Sequence, residues 1–161
     1  MVVRLLKAIT HLLFSVGVGV SLLYRVEGPT PLYLALTVWL AFATNQVIDV
    51  LGHFNKGGMP ARSFWTHSVF TAPLWGIAVA LVTVYFLDRI VGLGMPASQA
   101  VLLYALGVVI AYSHLLLDAL TEGGVFLGRR RVALAHFRYN NPVLNAAFAA
   151  LGVVLVFAVL I

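Results

Sequence analysis

The sequence contains no cysteine, and this absence limits the chemistry that the chain can support. Without cysteine there are no disulfide bonds and no thiolate metal sites. Any transition-metal site must therefore be built from histidine, aspartate, glutamate or asparagine side chains. The chain offers five histidines and five acidic residues for such a site.

Charged residues are also scarce. They make up only 9% of the 161 residues, whereas hydrophobic residues make up 62%, and the mean hydropathy is +1.03. Because soluble domains carry roughly 25% charged residues, the composition predicts an integral membrane protein. The length suits one compact bundle, so we expect residues 1–161 to form a single transmembrane helical domain.

Five stretches are long and apolar enough for membrane-spanning helices, which need about 20 mostly apolar residues. We predict these helices at about residues 5–24, 32–51, 67–87, 98–120 and 142–161. The predicted fold class is therefore all-α, a polytopic bundle of about five transmembrane helices.

Basic residues are divided unequally between the two sides of this predicted bundle. One side has only Arg25 and Arg89, and the side of the N-terminus has the others. These others are Arg4, Lys7, Lys56, Arg62, Arg129, Arg130, Arg131 and Arg138. Because cytoplasmic loops are rich in Lys and Arg, we predict a multi-pass protein of the cell membrane with a cytoplasmic N-terminus. The net charge of +5 then indicates orientation and contact with anionic lipid, and we expect no nucleic-acid partner.

The polar residues inside the predicted helices lie at similar depth near the cytoplasmic end. In the fourth helix, His114 and Asp118 are four residues apart and share one face. Asn45, Asp49 and His53 have the same spacing at the end of the second predicted helix, and the third predicted helix begins at His67. The polar residues at this depth are His11, Asn45, Asp49, His53, His67, His114 and Asp118.

A cation would compensate these groups, because each ionised side chain costs about 2.5–3.5 kcal/mol at the centre of a membrane. A single buried histidine is more often a hydrogen-bonded core residue than a ligand. A set that combines imidazoles and carboxylates suits Zn(II), Mn(II) or Fe(II). We therefore expect a site for one or two divalent ions, with ligands drawn from His11, Asp49, His53, His67, His114 and Asp118.

Four pieces of the sequence carry a resemblance to a known family. They are residues 10–15 (Thr-His-Leu-Leu-Phe-Ser), 47–49 (Val-Ile-Asp) with His53, 62–68 (Arg-Ser-Phe-Trp-Thr-His-Ser), and 113–121 (Ser-His-Leu-Leu-Leu-Asp-Ala-Leu-Thr) followed by Gly123-Gly124-Val125. In this order they resemble the LexA-regulated, predicted membrane-bound metal-dependent hydrolases of bacteria and their small archaeal relatives. The chain departs from the bacterial pattern at Gly52, where that family usually has an acid.

The order His, Asp, His and then His-x-x-x-Asp is also similar to the first part of the ligand series in zinc-dependent phospholipase C and related single-strand nucleases. This similarity implies that His11, Asp49, His67, His114 and Asp118 are ligands and that Asp118 bridges two metal ions. It also implies phosphodiester hydrolysis by metal-activated water. The later ligands of those enzymes have no match here, so one or two ions remain open.

These features favour a phospholipase-like, metal-dependent hydrolase whose site faces the cytoplasm. We expect its substrate to be a phosphoester of a lipid or lipid-linked molecule, and Zn(II) to be the ion, with Mn(II) or Fe(II) as alternatives. Asp49 or Glu122 is the expected general base. Arg62 is the expected phosphate-binding residue, because a guanidinium suits bidentate contact with phosphate.

Three other functions would use the same cluster. In a non-enzymatic protein it would be a metal-stabilised scaffold or part of a proton or ion carrier. A carrier needs polar groups across the whole membrane, whereas here they gather at one end. In a haem protein two histidines would be axial ligands, but the two aspartates nearby argue against that interpretation.

Overall fold

The computed structural model describes residues 2–28, 30–56 and 59–161, with the side chains of all of these except 2–7, 55–56 and 59–60. The side chains of Arg4, Lys7 and Lys56, which the orientation prediction counts, therefore lie outside the described part. In chain order the elements are α1 (Val2–Glu27), α2 (Pro31–Gly52), β1 (His53–Lys56), β2 (Met59–Arg62), α3 (Phe64–His67), α4 (Ala72–Tyr85), α5 (Ala97–Ala119), β3 (Val125–Leu127), β4 (Arg130–Val132) and α6 (Pro142–Leu160). A π-helical segment, Phe86–Ile90, continues α4.

Five helical stretches in the described residues are long and apolar enough to cross a membrane. They are Ala8–Glu27, Pro31–Gly52, Ala72–Ile90, Ala97–Ala119 and Pro142–Leu160. The predicted bundle of about five transmembrane helices is therefore confirmed, and the chain is a membrane protein. Two of the helices begin with a capping side chain followed by proline: Thr30 caps α2 ahead of Pro31, and Asn141 caps α6 ahead of Pro142.

The apolar core and the lipid-facing surface follow from the helix packing. The core includes Leu40, Leu103, Leu106 and Ile110, all of them fully buried between α1, α2, α4 and α5. In contrast, α6 packs mainly on α1, and only 6% of its most apolar stretch is buried. Its remaining surface is apolar and suited to lipid contact.

The predicted start of the third helix is wrong. His67 does not open that helix but ends the one-turn α3, and α4 begins five residues later, at Ala72. Between them, Ser68 is extended and pairs with Phe126, and Val69 donates its N–H to the Phe126 carbonyl at 3.0 Å. This long-range pairing interrupts the helix, and Pro73 suits a new helix start.

Two short antiparallel hairpins, β1–β2 and β3–β4, connect the helices at the end of the bundle that holds the polar residues. Neither was predicted. The segment after α5 also folds back on that helix, since Leu134 donates its N–H to the Ala119 carbonyl and Phe137 to that of Leu120. The hairpins thus close this end of the bundle with hydrogen-bonded backbone.

Candidate metal centre

The second half of α5 supplies the centre of the cluster. His114 and Asp118 are both fully buried, on one face of the helix, with Nε2 of His114 3.3 Å from Oδ2 of Asp118. His67, at the end of α3, places its own Nε2 3.3 Å from the same carboxylate oxygen. Two imidazole nitrogens from different elements therefore meet one oxygen of Asp118.

The other oxygen of Asp118 faces two different groups. Oδ1 is 3.3 Å from Nε2 of His11 on α1 and 2.5 Å from Nη2 of Arg62 at the end of β2. His11 is 3% exposed and its ring lies 4.5 Å, centroid to centroid, from that of His114. The carboxylate of Asp118 is thus surrounded by three histidines and one arginine.

Asp49 lies on the more open side of the cluster. Its Oδ1 is 3.6 Å from Nε2 of His114 and 3.2 Å from Nδ1 of His53, one helical turn further on. The side chains of Asp49 and His53 are 23% and 34% exposed, whereas His67, His114 and Asp118 are fully buried. The side chains at the end of α2 are therefore the partly exposed ones of this cluster, although Oδ1 of Asp49 is itself buried.

Asn45 determines which ring nitrogen of the neutral His114 carries the proton. The amide Nδ2 of Asn45 donates to the Ala41 carbonyl at 2.7 Å, which identifies Oδ1 as the acceptor that faces Nδ1 of His114 at 2.6 Å. In the neutral imidazole the proton then lies on Nδ1, and the lone pair of Nε2 faces the cluster. Hydrogen bonds of this kind orient histidines that bind metals.

His67 is oriented by its neighbour and by the end of α2. The Thr66 hydroxyl is 2.8 Å from Nδ1 of His67, which leaves Nε2 to face Asp118. A Cβ at Gly52 would lie 2.1 Å from Thr66 Oγ1 and 2.5 Å from Cε1 of His67. The glycine therefore lets α2 end in contact with this histidine, and an acid at that position would not fit.

The spacing of these atoms suits a metal ion better than it suits hydrogen bonds. Bonds of about 2.1 Å to a tetrahedral ion place neighbouring ligand atoms about 3.4 Å apart, close to the 3.3 Å found three times around Asp118. The buried Nε2 atoms of His67 and His114 make no hydrogen bond among the described residues. Buried polar atoms normally have a hydrogen-bond partner or a bound ion, and a metal ion would satisfy these two nitrogens.

Two overlapping groups of possible ligands can be drawn from the described residues. One contains His11, His114 and Asp118, and the other contains Asp49, His67 and His114. Within each group the ligand atoms lie no more than 4.8 Å from one another. The cluster could therefore hold a metal ion.

The structure brings five of the expected ligands together, namely His11, Asp49, His67, His114 and Asp118. His53 lies at the edge beside Asp49 and belongs to neither group. Arg62 contacts Asp118, and Glu122 is exposed, outside both groups, with its N–H donated to the Phe137 carbonyl. The roles of Asn45 and Thr66 were not predicted, although the spacing of Asn45 from Asp49 had indicated a shared face.

The fold and the site together define a polytopic helical membrane protein with a buried histidine–aspartate cluster. The chain belongs to a family described as a protein of unknown function (DUF1286), whose family model matches residues 6–117. No curated protein and no solved structure matches the chain. The matched region includes His11, Asp49, His67 and His114 and ends one residue before Asp118. Because the family description names no activity, the resemblance to membrane-bound hydrolases stays a prediction.

Proposed function

We propose that the protein is a membrane-embedded, metal-dependent hydrolase that acts at the cytoplasmic leaflet on a phosphoester of a lipid or lipid-linked molecule. The observation that carries this proposal is the meeting of five side chains, those of His11, Asp49, His67, His114 and Asp118, of which that of Asp49 is partly exposed. A cluster that only stabilised the bundle would need no open side.

The ligand chemistry supports a borderline divalent ion. Neutral imidazole nitrogens combined with carboxylate oxygens suit Zn(II), with Mn(II) or Fe(II) as alternatives, and the chain has no thiolate to offer. His67 and His114 would hold the ion with Asp118, and the remaining position would be open to water. Once bound, such an ion lowers the pKa of water toward neutrality and polarises a phosphoryl oxygen.

The protein's own residues would position the substrate and move protons. Asp49 is the best-placed general base, because its Oδ1 lies 3.6 Å from Nε2 of His114 and its side chain is 23% exposed. His53, 3.2 Å away, would orient Asp49 and exchange the proton with solvent. Arg62 holds Asp118 in place, and the exposed position of Glu122 favours Asp49 over it as the base.

The surroundings of the open side support a lipid substrate. Large apolar residues next to Asp49 and His53 in the chain are exposed: Val50 by 72%, Leu51 by 55% and Phe54 by 49%. Trp65, two residues before His67, is 69% exposed. A polar opening with an apolar rim fits an amphiphilic molecule at the membrane interface.

A metal-stabilised scaffold is the second candidate, and burial favours it. Four of the five side chains, those of His11, His67, His114 and Asp118, are at most 3% exposed. Structural metal sites are closed, whereas catalytic ones keep a position open. The two functions therefore differ in whether Asp49 admits a substrate.

The test combines metal content with turnover in detergent-purified protein. We expect zinc to be bound and a phosphodiester, bis(p-nitrophenyl) phosphate or phosphatidylglycerol in mixed micelles, to be hydrolysed. His114→Ala and Asp118→Ala should lose both properties. The matched control is His136→Asn at an exposed histidine with φ of 55°, a conformation that asparagine tolerates.

Three results would overturn the proposal that this cluster is the site of a hydrolase. Bound zinc without turnover would identify the scaffold, and full turnover in His114→Ala would exclude the cluster as the site. Protein that binds no metal under metal-replete, chelator-free conditions would exclude both candidates.

A further inference from the structure

Arg62 is built into the site rather than offered to solvent. Its side chain is 8% exposed, with Nη2 2.5 Å from Oδ1 of Asp118 and Nη1 2.7 Å from the Gly124 carbonyl. A Cβ at Gly123 would lie 2.5 Å from Nη1, so the glycine makes room for the guanidinium. The loop after α5 therefore holds a fixed positive charge on one oxygen of Asp118.

This charge occupies the place where a second metal ion would bind. The two possible ligand groups share His114, and a single Nε2 can bind only one ion. A second ion would have to use His11 and Oδ1 of Asp118. That oxygen already accepts from Arg62, whose positive charge would repel a divalent ion.

The number of carboxylates points the same way. The chain has five acidic residues, and the two possible ligand groups contain only Asp49 and Asp118. The two negative charges of these carboxylates balance one divalent ion, and the positive charge of the Arg62 guanidinium is then in excess. A second ion would add two positive charges with no further carboxylate in either group, and uncompensated charge in a buried site is costly.

We infer that the centre binds one metal ion, through His67, His114 and Oδ2 of Asp118, with Asp49 beside His114 and not bound to the ion, and that Arg62 takes the place of a second cation at Oδ1. His11 is then a positioning residue beside Asp118 and not a ligand. The inference rests on the proposed metal centre and adds the number of ions. It differs from the bridging role that the resemblance implies for Asp118.

The test is a zinc titration of full-length, detergent-purified protein after chelator treatment, with elemental analysis of the bound ion. Wild-type protein should bind one equivalent. His67→Ala should weaken zinc binding more than about 100-fold, whereas His11→Ala should keep one equivalent with affinity within about tenfold. Arg62→Gln should admit a second equivalent, which Arg62→Lys, the variant that keeps the charge, should not.

Each outcome is decisive. Two equivalents in the wild-type protein, or binding that depends on His11 and not on His67, would overturn the one-ion site. If Arg62→Gln fails to fold, the comparison of zinc binding in His11→Ala and His67→Ala still tests the one-ion site. One equivalent without turnover overturns only the hydrolase, two equivalents with turnover overturn only this inference, and no bound zinc overturns both.

Discussion

The two halves of α5, taken as the residues before and after Ser113, both bury apolar side chains, but only the second also buries ionisable groups. Leu103, Leu106 and Ile110 in the first half are fully buried, and so are His114 and Asp118 in the second. The apolar half needs only neighbours of the right shape. The polar half needs a specific partner for each atom, and it obtains them from α1, α2, α3 and β2.

The boundary between the two halves is marked by a hydrogen bond. Ser113 on α5 and Ser15 on α1 have their hydroxyl oxygens 2.7 Å apart, and Asn45 on α2 donates to the same Ser15 oxygen. Among the described residues, the polar side-chain contacts of α5 with α1 and α2 lie between this level and Asp118. One helix can therefore carry a packing surface and a chemical site, provided that other elements satisfy each polar atom.

The largest expected difference between the halves comes from Asp118. Asp118→Ala leaves the Arg62 guanidinium buried without its carboxylate, so the free energy of unfolding should fall by about 3–5 kcal/mol. Denaturant unfolding in detergent, with chelator present, measures this loss. Asp88→Ala, which removes a pair with the exposed Arg89 and the acceptor of the Met95 N–H, should cost only about 1 kcal/mol. Equal losses in the two variants would contradict the role given to Arg62.

The apolar half should respond in stability but not in metal binding. Ile110→Ala removes fully buried packing contacts and should cost about 2 kcal/mol, the lower end for such truncations, since lipid is as apolar as the core. The bound zinc should remain at the wild-type equivalent in elemental analysis. Loss of zinc in this variant would show that the two halves are not separable.

The smallest expected effect is at Asn45. Asn45→Ala removes the acceptor that orients His114, and zinc affinity should fall about tenfold, equivalent to about 1.4 kcal/mol. Competition with a chelator of known affinity measures the change. Gln46→Ala, at the exposed neighbouring position, is the control and should leave affinity unchanged.

The helices were predictable because hydropathy and length dominate in a membrane. The caps at Thr30 and Asn141 were not predicted, although such residues directly before a proline are typical of helix starts. The break before α4 was not predicted, because it depends on the pairing of Ser68 with Phe126, 58 positions later in the chain. Pro73 was a local sign of that restart that the hydropathy pattern concealed.

The spacing of the sequence identified the candidate ligands, but it did not identify the other residues that contact those ligands. Asn45, Asp49 and the pair His114 and Asp118 repeat at intervals of four, which is enough to place them on helix faces. That Arg62 would donate to Asp118 instead of facing solvent depends on the β1–β2 hairpin and on the space at Gly123. Such contacts between distant segments leave no periodic signal in the sequence.

The order of the cluster along the chain has a consequence for biosynthesis. A ribosome makes His11, Asp49 and His67 before it reaches His114 and Asp118, which come from the fourth of five membrane spans. Until α5 enters the bilayer, the earlier spans carry ionisable groups whose counterpart is still in the exit tunnel or the translocon. The cluster therefore cannot be complete until the fourth span has been made and has joined the earlier ones.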